Sequence, residues 1–141
     1  MEYYFIGHYT HSLDSKNRVA IPAKYRTQIE DGKVVVTKGF DGCLVVYPVE
    51  EWEKLKDERI SRLDPMDGRA ARDKMRKLLG AAEPCKVDKQ GRIGLTAYLL
   101  KQAEITKEVV FTGMGNCFEV WAASVWDEYE QDSKERERAE Q

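Results

Sequence analysis

The sequence predicts an α+β domain in which two copies of one unit share a single core, as a small mixed barrel with helices packed outside. Residues 14–54 align with residues 88–128 without a gap, with 12 identities in the 41 pairs, which indicates a tandem duplication. Each copy has the pattern strand, bend, strand, short helix, hairpin and helix. A unit of about 45 residues is too small to be stable alone, so we expect the copies to pair around a pseudo-two-fold axis.

The first strand of each copy ends at a polar bend, "DSKNR" (residues 14–18) and "DKQGR" (residues 88–92). An aspartate at the start of a bend can bond the backbone two residues further on. Asn17 and Gly91 are of the two residue types that most readily take positive φ. Short apolar runs, "VAI" and "IGL", follow each arginine and predict a second strand. Each bend is therefore predicted to be a tight turn in which the aspartate reaches the arginine.

A short helix, a hairpin and a longer helix follow each bend. Pro22 suits a first helical position and Thr96 suits an N-cap, so "AKYRTQIE" and "AYLLKQAE" are predicted to be helices. The segments "VVVTKGFDGCLVVYP" and "VVFTGMGNCFEVWA" contain glycine-bearing turns and are predicted to be hairpins. Trp52 and Trp126 then open helices, and we expect the pseudo-two-fold axis to relate these two residues.

Residues 50–82 connect the copies and are predicted to be helical, with a break at "LDPMDG". One face carries an apolar stripe at helical spacing that is more typical of core packing than of a ligand groove: Ala71, Met75, Leu78, Leu79 and Ala82. A final helix is predicted over residues 124–134, and the polar tail is predicted to fray or be disordered. The predicted divisions are a first repeat, a helical connector, a second repeat and a C-terminal helix with an acidic tail, at residues 5–50, 51–78, 79–124 and 125–141.

Composition and charge exclude several classes of protein. The 141 residues are 42% hydrophobic and 34% charged, and no apolar run approaches the length of about 18 residues that a membrane span needs. The three cysteines are widely separated, which argues against a disulfide framework or a zinc site and favours a reducing cytoplasm. The net charge of −2 argues against a polyanionic partner. However, residues 10–26 and 84–101 each carry a local charge of +3, whereas residues 127–141 carry −4.

The paired bends resemble the signature of the MraZ family of bacterial proteins. The resemblance covers almost the whole chain, through "RVAIPAKYR", "GCLVVYPVEEW", "GAAEPCKVDKQGRIGL" and "NCFEVW", with Thr96 a departure because the first copy has Pro22 there. It implies a swapped-hairpin barrel like that of AbrB-type transcription factors, with both halves from one chain. It also implies a nucleoid-associated DNA-binding regulator, expected to be a repressor, of the cell-division and cell-wall gene cluster. Such proteins form ring-shaped homo-oligomers and recognise short, G-rich direct repeats of double-stranded DNA at the promoter.

For such a protein, we expect the bends to contact DNA. An arginine guanidinium can bond O6 and N7 of guanine together in the major groove, and a neighbouring aspartate would hold its fork in place. We therefore expect Arg18 to read bases, supported by Lys16 and held by Asp14. The second copy supplies the weaker equivalent set: Arg92, Lys89 and Asp88. Phosphate contacts that fix register are expected from three further residues: Lys24, Arg26 and Lys86. A second basic surface, which would serve phosphates or a neighbour's acidic tail, comprises Arg69, Arg72 and Arg76.

Three other interpretations remain open from residue types alone. The aspartate and arginine of each bend could simply close the turn. Asp14 and Asp88 could act as an acid–base pair, but an adjacent arginine favours a permanently ionised carboxylate; without a recognisable catalytic motif, an enzyme is not expected. A purely structural ring scaffold is the third interpretation.

No bound metal or small molecule is expected. His8 and His11 fall on opposite faces of a strand, so no metal site is expected, and no cofactor or small-molecule substrate is indicated.

Overall fold

The computed structural model describes residues 2–29 and 31–140. The first copy contains β1 (His8–Ser12), β2 (Arg18–Ala20), α1 (Ala23–Arg26), β3 (Lys33–Lys38), β4 (Leu44–Pro48) and α2 (Val49–Glu58). The connector contains two single 3-10 turns and a helix: Ile60–Arg62, Pro65–Asp67 and α3 (Arg69–Leu78). The second copy contains β5 (Glu83–Lys86), β6 (Arg92–Gly94), α4 (Ala97–Gln102), β7 (Glu108–Gly113), β8 (Phe118–Ala122) and α5 (Ala123–Ala139).

This order confirms the predicted pattern of elements in both copies. Thr96 is the N-cap of α4, and its hydroxyl accepts a hydrogen bond from the Leu99 N–H at 3.3 Å. Pro22 precedes α1 as its N-cap instead of occupying the first helical position. Glu30, at the end of the predicted first helix, and Gln141, the last residue of the predicted tail, lie outside the described residues.

The strands of the two copies are interleaved. Six of them form one antiparallel sheet in the order β1-β7-β8-β4-β3-β5, and β2 pairs with β6 in a separate two-stranded ribbon. The first strand of each copy pairs with the hairpin of the other copy, because β1 pairs with β7 and β5 pairs with β3. The sheet is therefore a joint product of both copies, as expected for halves that share a core.

The sheet does not close into the predicted barrel. β1 and β5 lie at its two edges, and no ladder joins them within residues 2–29 and 31–140. The ribbon lies between these edges, with β2 beside β1 and β6 beside β5. On the β1 side, Nδ1 of His11 lies 2.6 Å from the carbonyl oxygen of Ala20. Because each bend turns the chain out of the sheet and into the ribbon, the edge strands do not reach one another.

Equivalent residues of the two copies face each other at two places. Val45 pairs with Glu119 in the β4–β8 ladder, and Val19 pairs with Ile93 in the ribbon. The partners in both pairs are separated by the same 74 residues that separate the copies. An antiparallel pair of equivalent residues lies on a local two-fold axis, since exchanging the strands maps each residue onto its partner. The pseudo-two-fold relation of the copies thus appears in both sheets.

The two tryptophans have matching surroundings. Trp52 packs against Tyr47 with ring centroids 5.7 Å apart, and Trp126 packs against Trp121 with ring centroids 5.4 Å apart. Tyr47 and Trp121 are themselves equivalent under the 74-residue offset. These contacts agree with the expectation that the axis relates the two tryptophans.

The gapless alignment is wrong for one strand of each copy. In the first hairpin Val36 pairs with Val46. In the second hairpin Val120, the equivalent of Val46 at an offset of 74, pairs with Phe111. Phe111 lies 75 residues after Val36, so β3 and β7 are related by an offset of 75 and not 74. The extra residue of the second copy lies between α4 and β7, where Glu104 takes a φ of 56°. The second hairpin turn is one residue shorter and restores the offset. Loops absorb the difference because a one-residue slip within a strand would turn its buried face outward.

The main core is formed by apolar side chains from both copies, and the connector packs outside it. The largest fully buried side chains are Trp121, Tyr25, Phe5, Phe111, Phe118, Ile21, Leu44, Ile93, Leu99, Val19, Val34 and Val36. The connector covers a smaller cluster of Val35, Trp52 and Ile60. The predicted stripe on α3 is only half-buried: Leu78 and Ala82 pack on this cluster, but Leu79 is 40% exposed.

The C-terminal helix extends beyond its predicted end. α5 continues to Ala139, where fraying or disorder was expected. The side-chain amide of Gln131 donates to Glu135 at 3.3 Å, and the Arg136 guanidinium lies 5.6 Å from the Tyr129 ring centroid. Such contacts between successive turns favour a helix even when few apolar residues are present. None of the described helices is both long enough and apolar enough to cross a membrane.

Candidate nucleic-acid interface

The first bend, residues 14–18, is closed by its own aspartate. Oδ1 of Asp14 accepts hydrogen bonds from the backbone N–H groups of Lys16 and Arg18, at 2.8 and 2.9 Å. Oδ2 accepts from Nε of Arg18 at 3.0 Å. Asn17 has a φ of 58°, a left-handed conformation that asparagine tolerates better than most residues. The aspartate thus fixes both the turn and the direction in which the arginine side chain leaves it.

The second bend, residues 88–92, repeats this geometry. Oδ1 of Asp88 accepts from the N–H groups of Gln90 and Arg92, both at 2.9 Å, and Oδ2 accepts from Nε of Arg92 at 3.1 Å. Gly91 occupies the left-handed position with a φ of 77°. The predicted approach of aspartate to arginine is therefore confirmed in both bends.

The ribbon holds the two bends side by side. The N–H of Ile21 donates to the carbonyl of Gly91, and the N–H of Leu95 donates to the carbonyl of Asn17, both at 2.9 Å. Nη1 of Arg92 also lies 3.3 Å from Oδ2 of Asp14, so an ion pair crosses from one copy to the other. The two predicted base-reading arginines consequently share one face of the molecule.

The two arginines differ in the donors that remain available. Arg92 uses Nε and Nη1 on carboxylates, whereas Arg18 uses only Nε. Neither terminal nitrogen of Arg18 bonds to any residue that the structure describes. The Arg18 side chain is also more exposed, at 33% against 26%. Arg18 therefore has more guanidinium donors available to a ligand than Arg92 has.

The carboxylates of the bends are stabilised in the ionised form. The backbone N–H of Arg18 is the main cause that holds the pKa of Asp14 below its ordinary value, with smaller contributions from Lys16 and the guanidinium. The pKa of Asp88 is lowered in the same way, chiefly by the backbone N–H of Arg92. A carboxylate held ionised in this way is suited to positioning an arginine and not to donating a proton.

The remaining predicted DNA contacts surround the bends or lie further along the strands. Lys16 and Lys89 are exposed at the tips of the bends, and Lys24 and Arg26 are exposed on α1. Lys86 is exposed on β5, where it pairs with another lysine, Lys33. The structure therefore brings the two Asp–Arg pairs together and places Lys16 and Lys89 at the tips of the same bends.

Arg26 has a contact that the sequence did not reveal. Its side chain lies on the second bend, because a Cβ atom built on Gly91 would come within 2.2 Å of Arg26 Nη1. Gly91 is buried, although the equivalent Asn17 is exposed. The difference between asparagine and glycine at equivalent positions was the only available signal for this contact.

The second basic surface, on α3, is separate and partly occupied. Nη1 of Arg72 donates to the carbonyl of Pro65 at 2.9 Å, and Nη1 of Arg76 pairs with Asp73 at 3.1 Å. Arg69 is exposed at the start of the helix. α3 packs against β3. Among the described residues, it makes no hydrogen bond to either bend.

The arrangement can bind anions and planar hydrogen-bond acceptors through arginine, with lysines around it. His8 and His11 lie on opposite faces of β1, as predicted, and His11 packs against Phe111. Within residues 2–29 and 31–140, no group of three histidine, cysteine or acidic residues is placed to hold a metal ion.

Comparison with known proteins gives one consistent result. The family model described as "MraZ protein, putative antitoxin-like" matches residues 4–74 and 78–141. The chain is 40% identical over 131 residues to a protein of Lactobacillus johnsonii named "Transcriptional regulator MraZ", covering 93% of this chain and 90% of the relative. Proteins of the same name from Halothermothrix orenii and Caldanaerobacter subterraneus are 43% and 44% identical, covering 89% and 88% of this chain and 85% of each relative.

Proposed function

Because the chain belongs to the MraZ family, we propose that it is a transcriptional regulator that binds double-stranded promoter DNA through its two bends. Its curated relatives are named transcriptional regulators, so the chain is grouped with regulators and not with enzymes. The observation that carries the proposal is the placement of both Asp–Arg pairs on one face, linked by the contact between Arg92 and Asp14. A bend that served only to close its turn would not need a partly exposed guanidinium with free terminal nitrogens.

The ribbon suits the major groove of DNA, which admits a two-stranded antiparallel β-ribbon. In this arrangement Arg18 bonds a guanine edge through its terminal nitrogens while Asp14 keeps Nε in place. Lys16 and Lys89 approach base edges or phosphates from the tips of the bends. Three further residues contact phosphates and fix the register without specifying sequence: Lys24, Arg26 and Lys86. Arg92 and Asp88 form the second, more constrained pair.

We assign the exchange of β1 and β5 between the copies to a swapped-hairpin arrangement of the AbrB type. The support is the pairing of each of these strands with the hairpin of the other copy. In this assignment one chain supplies both halves of a DNA-binding unit. The expected setting is the nucleoid in the cytoplasm, and the expected target is the promoter of the cell-division and cell-wall gene cluster, where binding at short repeats represses transcription.

We also propose that the chain acts as a closed, ring-shaped homo-oligomer. A chain of net charge −2 has little long-range attraction for DNA. A ring that presents several pairs of bends to repeated sites would multiply weak contacts through effective concentration. Exposed apolar side chains at and beside the connector, including Phe40, Met66 and Leu79, are available for contacts between neighbours. Light scattering at micromolar concentration should give a mass several times 16.3 kDa, and a monomer mass would contradict the ring.

The experiment that tests DNA binding compares Arg18→Ala with Arg72→Ala. Each variant is titrated with a promoter duplex and a scrambled duplex at two salt concentrations. Loss of a base-reading arginine should reduce discrimination between the duplexes by about 1–3 kcal/mol. Loss of a phosphate contact should weaken both complexes alike and flatten the salt dependence.

The outcomes separate the remaining interpretations. If the wild-type protein binds neither duplex in a gel shift, a structural scaffold replaces the regulator. If Arg18→Ala remains folded and oligomeric and keeps its preference for the promoter, the first bend only closes a turn. If Arg72→Ala loses affinity while Arg18→Ala does not, the basic face of α3 is the DNA-binding surface.

A further inference from the structure

The two bends are equivalent in backbone geometry but present different side chains. The first bend carries Lys16 and Asn17 where the second carries Gln90 and Gly91. The local two-fold axis through the ribbon would otherwise make the halves interchangeable to a ligand on this face. We define the first half-site as the surface around Arg18 and the second half-site as the surface around Arg92.

Arg26 belongs to the second half-site, although it comes from the first copy. A Cβ atom on Gly91 would lie 2.2 Å from Nη1 and 2.4 Å from Cδ of Arg26, so the side chain rests directly on the glycine backbone. The equivalent of Arg26 in the second copy is Leu100, which is 9% exposed and packs in the main core. The first bend therefore has no arginine in the corresponding place.

This placement gives the half-sites different chemistry. The first half-site offers the guanidinium of Arg18 and the ammonium of Lys16. The second offers two guanidiniums, Arg92 and Arg26, with the ammonium of Lys89 at the tip. Guanidiniums present planar forks that match guanine edges and phosphates bidentately, whereas an ammonium acts as a compact point charge. A duplex bound across both half-sites consequently meets different donors at its two ends.

We propose that Arg26, held on Gly91, is a specificity-determining residue of the second half-site and causes one chain to bind asymmetric DNA in a single orientation. The inference rests on the proposed DNA-binding function and, for Arg26, replaces the sequence-independent phosphate contact assigned above. Glycine at position 91 is required because any side chain there would displace the Arg26 guanidinium. Glycine also accommodates the positive φ of the bend.

Two variants remove the arrangement in different ways. Arg26→Leu introduces the residue type of the equivalent position in the second copy. Gly91→Asn introduces the residue type that the first bend uses at a φ of 58°, so the backbone is retained while the new side chain collides with Arg26. Arg138→Leu, near the exposed end of α5, is the charge-matched control.

The experiment selects bound duplexes from a pool with a randomised centre, first with the wild-type protein. The affinity of each variant is then measured for the selected duplex and for duplexes altered in one half at a time. Arg18→Ala identifies which half of the DNA the first half-site contacts. Wild type should select a non-palindromic sequence. Arg26→Leu and Gly91→Asn should each lose about tenfold in sequence discrimination, the size of one good base contact. This loss should be confined to the half of the DNA that the second half-site contacts. Arg138→Leu should match wild type at both halves.

The failure of this inference is distinguishable from that of the proposed function. If the wild-type protein enriches no sequence, DNA recognition itself is wrong. If it enriches a sequence but that sequence is palindromic, or if Arg26→Leu keeps full discrimination at both halves, DNA recognition stands and the role of Arg26 is wrong. Because Arg26→Leu alters an exposed helical position, its result decides the matter even if Gly91→Asn proves unstable.

Discussion

Each bend depends on one aspartate that satisfies backbone donors and an arginine at the same time. In both copies one carboxylate oxygen bonds the backbone and the other bonds the arginine Nε. The same two residues could have been interpreted from sequence as a simple turn closure. The partial exposure of the guanidiniums and their position on a common face favour a binding role in addition to that closure.

The lowered pKa values of Asp14 and Asp88 predict a loss of stability in acid. A carboxylate whose pKa is lower in the folded chain stabilises the fold above its unfolded-state pKa, and this stabilisation is lost as pH falls through the folded-state value. Urea unfolding of wild type should therefore show a steeper loss of stability from neutral pH to about pH 3 than the double variant Asp14→Asn/Asp88→Asn. Asp132→Asn on α5 is the control, and an equal acid response in wild type and the double variant would contradict the expectation.

The left-handed backbone of Asn17 predicts different responses to two substitutions at this position. Its φ of 58° is costly for a residue with an ordinary Cβ, by about 1–2 kcal/mol. Asn17→Ala should therefore lower the free energy of unfolding by roughly that amount, whereas Asn17→Gly should be tolerated. Denaturant titration of both variants measures the difference in the free energy of unfolding. Equal values for the two variants would mean that the left-handed backbone at residue 17 carries no such cost.

At the scale of elements, the caps of the two short helices provide a direct comparison. Thr96 accepts from Leu99 N–H and donates to Glu83 Oε2 at 2.7 Å, while Pro22 occupies the equivalent position without a side-chain bond. Thr96→Ala should destabilise the protein by about 1 kcal/mol, the usual cost of losing an N-cap. Thermal unfolding measures the effect, with Ala97→Ser on the same helix as a control. An unchanged transition would show that packing alone sets the start of α4.

The elements that local patterns specify were predictable, and those that depend on distant contacts were not. The bends, hairpins and Thr96 cap follow from residues within a few positions of each other. The extra residue between α4 and β7 was hidden because the sequence identities on either side of that loop still aligned without a gap. The contact of Arg26 with Gly91 joins two residues that lie 65 positions apart and belong to different copies. No periodicity in the sequence could report it.

The same contrast applies to the tail and the sheet. Low apolar content indicated fraying or disorder in the tail at residues 128–141, but charged and aromatic contacts along α5 maintain the helix to Ala139. The duplication predicted that the copies share a core, which the joint sheet confirms, whereas closure of a barrel depends on whether the edges β1 and β5 meet. In this chain the ribbon lies between them.

At the scale of the whole molecule, the interleaved strands predict that neither copy folds alone. Four ladders join the copies among the described residues: β1–β7, β3–β5, β4–β8 and β2–β6. Separately expressed fragments 1–80 and 81–141 should lack cooperative thermal unfolding and should regain it when mixed, because each fragment leaves strand edges and core residues exposed. Circular dichroism measures this, and a cooperative transition in either fragment alone would contradict the shared core.

In the proposed function, the two bends read DNA as a pair, with Arg18 as the main base contact. The most direct measurement is the ratio of dissociation constants for promoter and scrambled duplexes, compared between wild type and Arg18→Lys. Lysine keeps the positive charge but lacks the planar fork that binds guanine bidentately. Arg18→Lys should bind scrambled DNA as well as wild type does and should lose about tenfold or more of the preference for the promoter. A variant that is folded and oligomeric and retains the full preference would contradict this prediction.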